Sequence, residues 1–466
     1  MSNNELYSYR NIVRVAVPII IGGIAQNVVS VTDTIFLGNL SESALGAAGN
    51  AGIFYFFTIM LALGLVTGAQ ILMGNKNGAK DFSGVGQIFT HTFLMLIPLS
   101  VLLFILLHFF GTSIFKLFIS DAEIKTQAVT FINYRSWGVF FALFNFLIIA
   151  FYTAITQTKI ISWVTVIMSV VNIILDYAMI FGHFGFEAMG VKGAALASVY
   201  SEVVASVLFV TFIVLQNRVK VYQLFRFMEI KPAYFIAVIK LGFPVMLQFL
   251  LSIGSWFTFF MLIEKLGKPQ LASAHIIRSI YMVLMIPLFG FSNTTNTLVS
   301  NMLGAKDVSH ISVLLKRVIL LCLSVTMILF ILINVFPKQI IFLFTDVNEL
   351  ISLSVQSLSV IGYTMFIFSV AFILFNAVLG AGMTKYALAI EASTITIYLS
   401  VVYLITVKFP QPLHIVWMSE FVYMGLLALF SYIVLHKKTG KMLKNQIKSS
   451  DLSENFNLRG STYDTF

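Results

Sequence analysis

Residues 15–38, VAVPIIIGGIAQNVVSVTDTIFLG, decide how this chain is read. A helix needs about 20 apolar residues to cross ~30 Å of hydrocarbon, and this stretch is long enough. Yet it carries Pro18, the pair Gly22 and Gly23, the amides Gln26 and Asn27, and the carboxylate Asp33. An acid in hydrocarbon costs roughly 2.5 to 3.5 kcal/mol on insertion scales, so one that is kept there is a candidate for function. We read Asp33 as an ion-coupling group. Pro18 and the glycine pair mark a place where the helix can bend.

The rest of the 466 residues agrees with a membrane setting. Hydrophobic residues make up 59% and charged residues 10%, against roughly a quarter charged in soluble domains. Mean hydropathy is +0.95. The apolar runs are of helix length, with no ten-residue alternation to suggest a barrel. The lone cysteine, Cys322, excludes a disulfide framework. The N-terminal residues lack the short apolar core and small-residue site of a cleaved leader. The reading is an all-α membrane protein with about twelve transmembrane helices, near 12–37, 48–72, 85–110, 127–153, 160–181, 190–216, 236–264, 273–302, 313–336, 350–379, 386–407 and 413–435.

An even number of spans puts both ends on one face. Arg10, Arg14, Lys76, Lys80, Lys159, Arg218, Lys220, Arg226, Lys231, Lys306, Lys316, Arg317, Lys385, Lys437, Lys438, Lys441, Lys444 and Lys448 share that face, 18 cations against seven on the other. The positive-inside rule makes both termini cytoplasmic, as expected of a multi-pass protein of a plasma membrane, bacterial inner membrane included. The formal charge of +10 therefore reflects topology and anionic headgroups, and nucleic acid is not an expected partner.

Shifting the chain by 226 residues lays Pro18 on Pro244, Asn75 on Asn301, Thr158 on Thr384, and Gly78-Ala79-Lys80-Asp81 on Gly304-Ala305-Lys306-Asp307. The repeat predicts two six-helix lobes related by pseudo-two-fold symmetry: residues 1–216 and 236–436, joined by a cytoplasmic connection, 217–235, and followed by a tail, 437–466. Parallel repeats of this kind belong to transporters that rock two bundles about a central site. The connection is the hinge candidate.

Polar residues inside the spans favour the first lobe. Asp33 lies near the outer end of span one. Asn172 and Asp176, four apart and so on one helix face, lie near the outer end of span five. The repeat-equivalent positions in the second lobe are Phe259, Tyr398 and Val402. Two acids in a dry bundle can share a proton, and with amide oxygens they can equally hold sodium. Asp33, Asp176 and Asn172 are the candidate set for either ion, and no other cofactor is expected. Glu202, Glu391 and Glu420 are read as ion-paired with Arg135, Lys240 or Arg278. Phe57, Met60, Met282 and Met285, with Gln26 and Asn27, are candidates for an adaptable cavity suited to flat organic cations. There is no Walker-type loop, HExxH, paired cysteines or GxSxG, so neither an enzyme nor a nucleotide-driven pump is expected.

Pro18, Gln26-Asn27, Thr32-Asp33-Thr34 and Gly38, then Gly74-Asn75, Gly78, Gly190, Gly193-Ala194-Ala195, Gly242, Pro244 and Ala381-Gly382-Met383-Thr384-Lys385, together resemble the multidrug and toxic compound extrusion (MATE) family over nearly the whole chain. The resemblance implies a two-lobed monomeric exporter that exchanges protons or sodium for small organic, often cationic, compounds. Asp33 matches the family's first-helix aspartate. Asn172 and Asp176 match the fifth-helix pair of its DinF-like members, Asn145 an amide of the same network, and Ser198 a sixth-helix threonine. The NorM-like glutamate of helix seven and aspartate of helix ten correspond to Ser252 and Phe368, so the DinF-like branch fits better. A flippase for lipid-linked sugars or polysaccharides is the alternative on the same fold.

Overall fold

The computed structural model describes residues 7–225 and 230–438. Arg226 and the tail from residue 439 lie outside the described residues, including the three cationic side chains expected at 441, 444 and 448. Among the described residues the secondary structure is helical throughout. Spans one to three are Tyr9–Leu40, Glu42–Gly78 and Phe82–Phe118; span four is the bent pair Ala122–Arg135 and Gly138–Ala154; spans five and six are Lys159–Phe181 and Val191–Leu215. Spans seven to twelve are Pro232–Glu264, Lys268–Gly304, Ile311–Val335, Asn348–Gly380, Thr384–Lys408 and Leu413–Lys438. Polar caps start several of them. Ser41 accepts from Ala44 N–H at 3.0 Å to start span two, and Asp81 from Gly84 N–H at 2.9 Å to start span three.

Span four departs from the expected single helix by a bend of 53° after Arg135. Gly138 sits on the inner side of that bend. A Cβ there would run into the guanidinium of Arg135 and the carboxyl of Glu202, so the glycine makes room for an internal ion pair.

The repeat is visible as reciprocal packing. A Cβ on Gly78 would strike the Asn301 carbonyl, and one on Gly304 would strike the Asn75 carbonyl. Gly64 abuts Met246 as Gly290 abuts Ile20. Each contact is the 226-residue image of its partner, which is the signature of a two-fold relation. The turns after spans two and eight also match, with Lys80 and Lys306 both at φ 59°.

Each lobe has its own core, one built around Phe89, Leu107, Leu147 and Phe151, the other around Leu298, Val318, Ile361 and Val378. The two described ends of the chain lie on one face, called here the terminal face. The lobes are bolted together in the half nearest it. Gln70 donates to Asn293 at 3.0 Å, Asn77 to the Asn301 side-chain oxygen at 2.7 Å, and Asn301 to the Ala154 carbonyl at 2.9 Å. On the far halves of spans two and seven, Gly49, Gly52 and Gly254 face open space. The cleft between the lobes thus opens away from the terminal face.

The inter-lobe connection, expected as a hinge, is stitched to the first lobe. Val219 and Tyr222 are buried, the Tyr222 hydroxyl donates to Asn77 at 2.9 Å, and Lys231 N–H donates to His91 Nε2 at 2.9 Å.

Candidate functional site

Span one runs as one helix through Pro18. Proline lacks an N–H, which orphans the carbonyl four residues earlier, at Arg14. The Thr158 hydroxyl, from the start of span five, lies 3.4 Å from that carbonyl and 3.0 Å from the Val15 carbonyl. The one hydroxyl proton is shared between the two carbonyls at the gap, with the shorter contact to Val15. One turn on, Gly22 faces Thr165 of span five with room for ordinary contact, and Gly23 meets Ile286 of the other lobe closely. This close packing of spans one and five fixes what happens further along both helices.

There Asp33 and Asp176 turn their carboxyl groups toward each other within hydrogen-bonding reach. Asp176 is fully buried and Asn172, one turn back, is 2% exposed. No donor reaches Asp33 Oδ1 or either Asp176 oxygen, and both polar atoms of the Asn172 amide are likewise unpartnered. Buried polar atoms in folded proteins are nearly always paired. Two facing carboxyl groups are stable only with a proton or a cation between them, and this oxygen set suits either.

Beside the pair is a cavity of about 110 Å³ lined by Gln26, Val29, Arg135, Met168, Asn172, Ser198, Ser201 and Glu202. That is ample for water, which needs only about 10–15 Å³ by the same measure. Arg135 binds Glu202 with both guanidinium nitrogens, at 2.9 and 2.5 Å. The Tyr55 ring lies 3.9 Å from the guanidinium. Arg135 is also near enough to act electrostatically on Asp33.

The expected residues separate into groups. Asp33, Asp176 and Asn172 come together, with Gln26 and Ser198 on the cavity wall beside them. Asn145 does not join them. Its amide donates to the Glu202 carbonyl at 3.0 Å and its oxygen accepts from Ser206 at 2.8 Å, so it ties span four to span six. Asn27 is half-buried on span one, outside that wall. Phe57 and Met282 are exposed at 43% and 53%, and Met60 is half-buried. Met285 is 2% exposed and lies in the packed core of the second lobe, because it occupies the inward face of span eight rather than the cleft face.

The ion-pair reading holds for Glu202 and is corrected for the other two glutamates. Among the described residues Glu391 and Glu420 form no ion pair; hydroxyl groups hold them. The bolt at the terminal face was missed, although the run Ser292 to Asn301, SNTTNTLVSN, is conspicuously polar for a span.

The family model described as MatE matches residues 18–178 and 244–404. The two matches are offset by the shift of the internal repeat. A protein of Synechocystis sp., named probable multidrug resistance protein NorM, is 23% identical over 73% of this chain and 74% of its own length. The protein of the same name from Thermotoga maritima is 26% identical over 80% of each. A solved structure described as the outward-facing conformation of a multidrug resistance MATE family transporter of the MOP superfamily superposes with a TM-score of 0.88. It is 19% identical and covers 95% of this chain and 98% of that one.

Proposed function

This chain belongs to the MatE family, and from that premise we propose that it is a secondary active exporter of small organic, often cationic, compounds, driven by protons entering through Asp33 and Asp176. The observation that carries the proposal is the facing carboxyl pair, Asp176 buried and Asp33 half-buried, with Asp33 Oδ1 and both Asp176 oxygens unpartnered, beside a cleft that opens away from the terminal face. The terminal face is taken as cytoplasmic in a bacterial inner membrane, and the protein as working alone.

In the proposed cycle the cleft is open outward and substrate sits between the lobes. A proton from outside joins the carboxyl pair and neutralises it, which removes the attraction for a cation. Span one then bends about Pro18 and Gly22-Gly23, where Thr158 can release the Arg14 and Val15 carbonyls, and the substrate is expelled. Reorientation parts the terminal bolt, releases that proton into the cytoplasm and readmits substrate. Linkage requires proton and substrate to weaken each other's binding by the same factor. The driving force is about 1.4 kcal/mol per pH unit and about 2.3 kcal/mol per charge per 100 mV.

Placing the coupling in the first lobe is the DinF-like arrangement, although the curated relatives carry the NorM name. The oxygen-only set at Asp33, Asp176 and Asn172 keeps sodium as the second reading. The acids of the bundle interior argue against an anionic lipid-linked sugar. Dye efflux from proteoliposomes under separately imposed pH and sodium gradients decides between the ions. Asp33→Asn should cut proton-driven efflux more than tenfold while the protein still inserts; efflux at the unmodified rate would reject the assignment.

A further inference from the structure

The second lobe buries two carboxyl groups that the cycle above leaves unused. Glu391 of span eleven and Glu420 of span twelve are 2% and 3% exposed. Glu391 Oε1 accepts from the Ser252 hydroxyl at 2.6 Å and the Tyr423 hydroxyl at 2.6 Å. Glu420 Oε1 accepts from the Tyr398 hydroxyl at 2.8 Å. The rings of Tyr398 and Tyr423 meet at 5.2 Å, so two tyrosines join the two acids. From span eight Tyr281 faces Glu420. It is 3% exposed, and its hydroxyl has no partner at hydrogen-bond geometry. Span ten presents the Phe368 ring to Tyr281 and no titratable group. Arg278, one turn from Tyr281, lies over the Phe260 ring at 5.3 Å, and His275 stacks on that same ring. Neither is engaged with an acid.

Counting hydrogens shows what this arrangement can do. The Ser252 hydroxyl has one proton and two acceptors, the Gln248 carbonyl at 3.0 Å and Glu391 Oε1 at 2.6 Å. With Glu391 protonated, its O–H donates to Ser252, which donates in turn to Gln248. With Glu391 ionised, the Ser252 hydroxyl rotates to the carboxylate. Both charge states are thus satisfied by turning one hydroxyl, and the unpartnered Tyr281 hydroxyl offers the same adjustment at Glu420. Ser252 is half-buried, so one hydroxyl separates the acid from the surface of the lobe. Intramembrane acids are by default candidates for ion or proton pathways.

We propose that Glu391, joined through Tyr423 and Tyr398 to Glu420, is a second proton-binding site, in the lobe opposite Asp33 and Asp176, and that it loads and unloads in the same transport cycle. The proton comes from the far-side medium to a carboxylate oxygen and leaves to the terminal side, with no other bond made or broken. The proposal rests on the exporter reading above.

The test counts protons released when tetraphenylphosphonium binds to the purified full-length protein in weakly buffered detergent, with binding followed by equilibrium dialysis. The double variant Asp33→Asn/Asp176→Asn should still release protons. Glu391→Gln/Glu420→Gln should release about half as many as the unmodified protein, and the fourfold variant none. A glutamate double variant that binds the cation and releases the full count overturns the second site alone. An aspartate double variant that releases the full count overturns the first-lobe reading and leaves the second site standing. Release from the aspartate variant that sodium suppresses at fixed pH would make the second site a sodium site and overturn the proposal. Should the glutamate variants fail to fold, infrared difference spectra of the aspartate double variant supply the answer. Loss of a protonated-carboxyl band on adding the cation supports the site, and an unchanged spectrum overturns it.

Discussion

Removing the Asn301 side chain should unbolt the terminal face. Asn301 is 1% exposed and makes two bonds between the lobes, donating to the Ala154 carbonyl at 2.9 Å and accepting from Asn77 at 2.7 Å. Its third bond, to the Thr297 carbonyl, stays within its own helix and does not hold the lobes. At a net value of about 1 kcal/mol per hydrogen bond, Asn301→Ala costs the terminally closed state about 2 kcal/mol. Every 1.4 kcal/mol is tenfold, so the ratio of closed to open terminal face should fall about 30-fold. The Ala154 carbonyl and the Asn77 amide N–H, left without Asn301 when closed, regain water when the lobes part, which pushes in the same direction. The shift can be read from electron–electron distances between spin labels at Glu187 and Lys265, both exposed on the far rim of opposite lobes; Cys322 is fully buried and escapes labelling. The long-distance population should shrink and a shorter one appear. A distribution that changes less than about threefold in a folded variant, against the ~30-fold expected, would refute the idea that these bonds hold the outward-open shape.

Glu202→Gln strands the Arg135 guanidinium inside the lobe and should lower stability by about 3 to 5 kcal/mol, visible as a lower Tm; Glu202→Gln/Arg135→Gln should recover most of it. Gly304→Ala drives a methyl group into the Asn75 carbonyl and should cost about 1 to 3 kcal/mol, whereas Gly425→Ala, which faces open space, should leave Tm unchanged. The Lys76 ammonium hydrogen-bonded to Asp81 holds that carboxyl below the usual carboxylate range. A depressed folded value means its contribution is present above the unfolded value and is lost as pH falls through the folded one. Because both partners are more than a third exposed, Asp81→Asn, which keeps the helix cap, should cost under about 1 kcal/mol at neutral pH and nothing once the carboxyl is protonated in acid.

The fold was legible because its two main signals are one-dimensional. Span length follows from bilayer thickness, and a duplicated chain repeats its prolines, glycines and turns at a fixed shift. Asp33 and Asp176 were legible for a related reason: an acid in an apolar run is rare enough to stand out, and equal depth on two outward-running helices brought them near. The bend after Arg135 was not legible, since neither proline nor a glycine pair marks it. What the bend accommodates, the Arg135–Glu202 pair, joins residues 67 apart in the chain. Met285 went astray because spacing along span eight does not say which stripe faces the cleft and which the core. Glu391 and Glu420 were assigned cations by the habit that buried acids pair with bases. Tyrosine and serine hydroxyls meet the same need without a charge, and no pattern in the chain distinguishes those that do.

The duplication preserves geometry and lets chemistry drift. Thr158 donates beside the gap left by Pro18, at 3.0 Å to the Val15 carbonyl and 3.4 Å to the Arg14 carbonyl, while its repeat image, Thr384, leaves its hydroxyl unpartnered although Pro244 repeats the proline. If bending relieves stored hydrogen-bond strain, the two lobes therefore cannot bend alike. The acids follow a similar logic. Asn172, which stands beside the Asp33–Asp176 pair, has Tyr398 as its image, and Tyr398 bonds Glu420. The same place in each lobe lies near a buried carboxyl, one turn from Asp176 on span five in the first lobe and bonded to Glu420 of span twelve in the second. What the fold fixes is a dry pocket at a given depth between packed helices. Whichever helix supplies the acid, the pocket imposes the same physical demand: an oxygen with no fixed counter-charge must borrow a proton or a cation, and the lobe must accommodate both its loaded and its empty state.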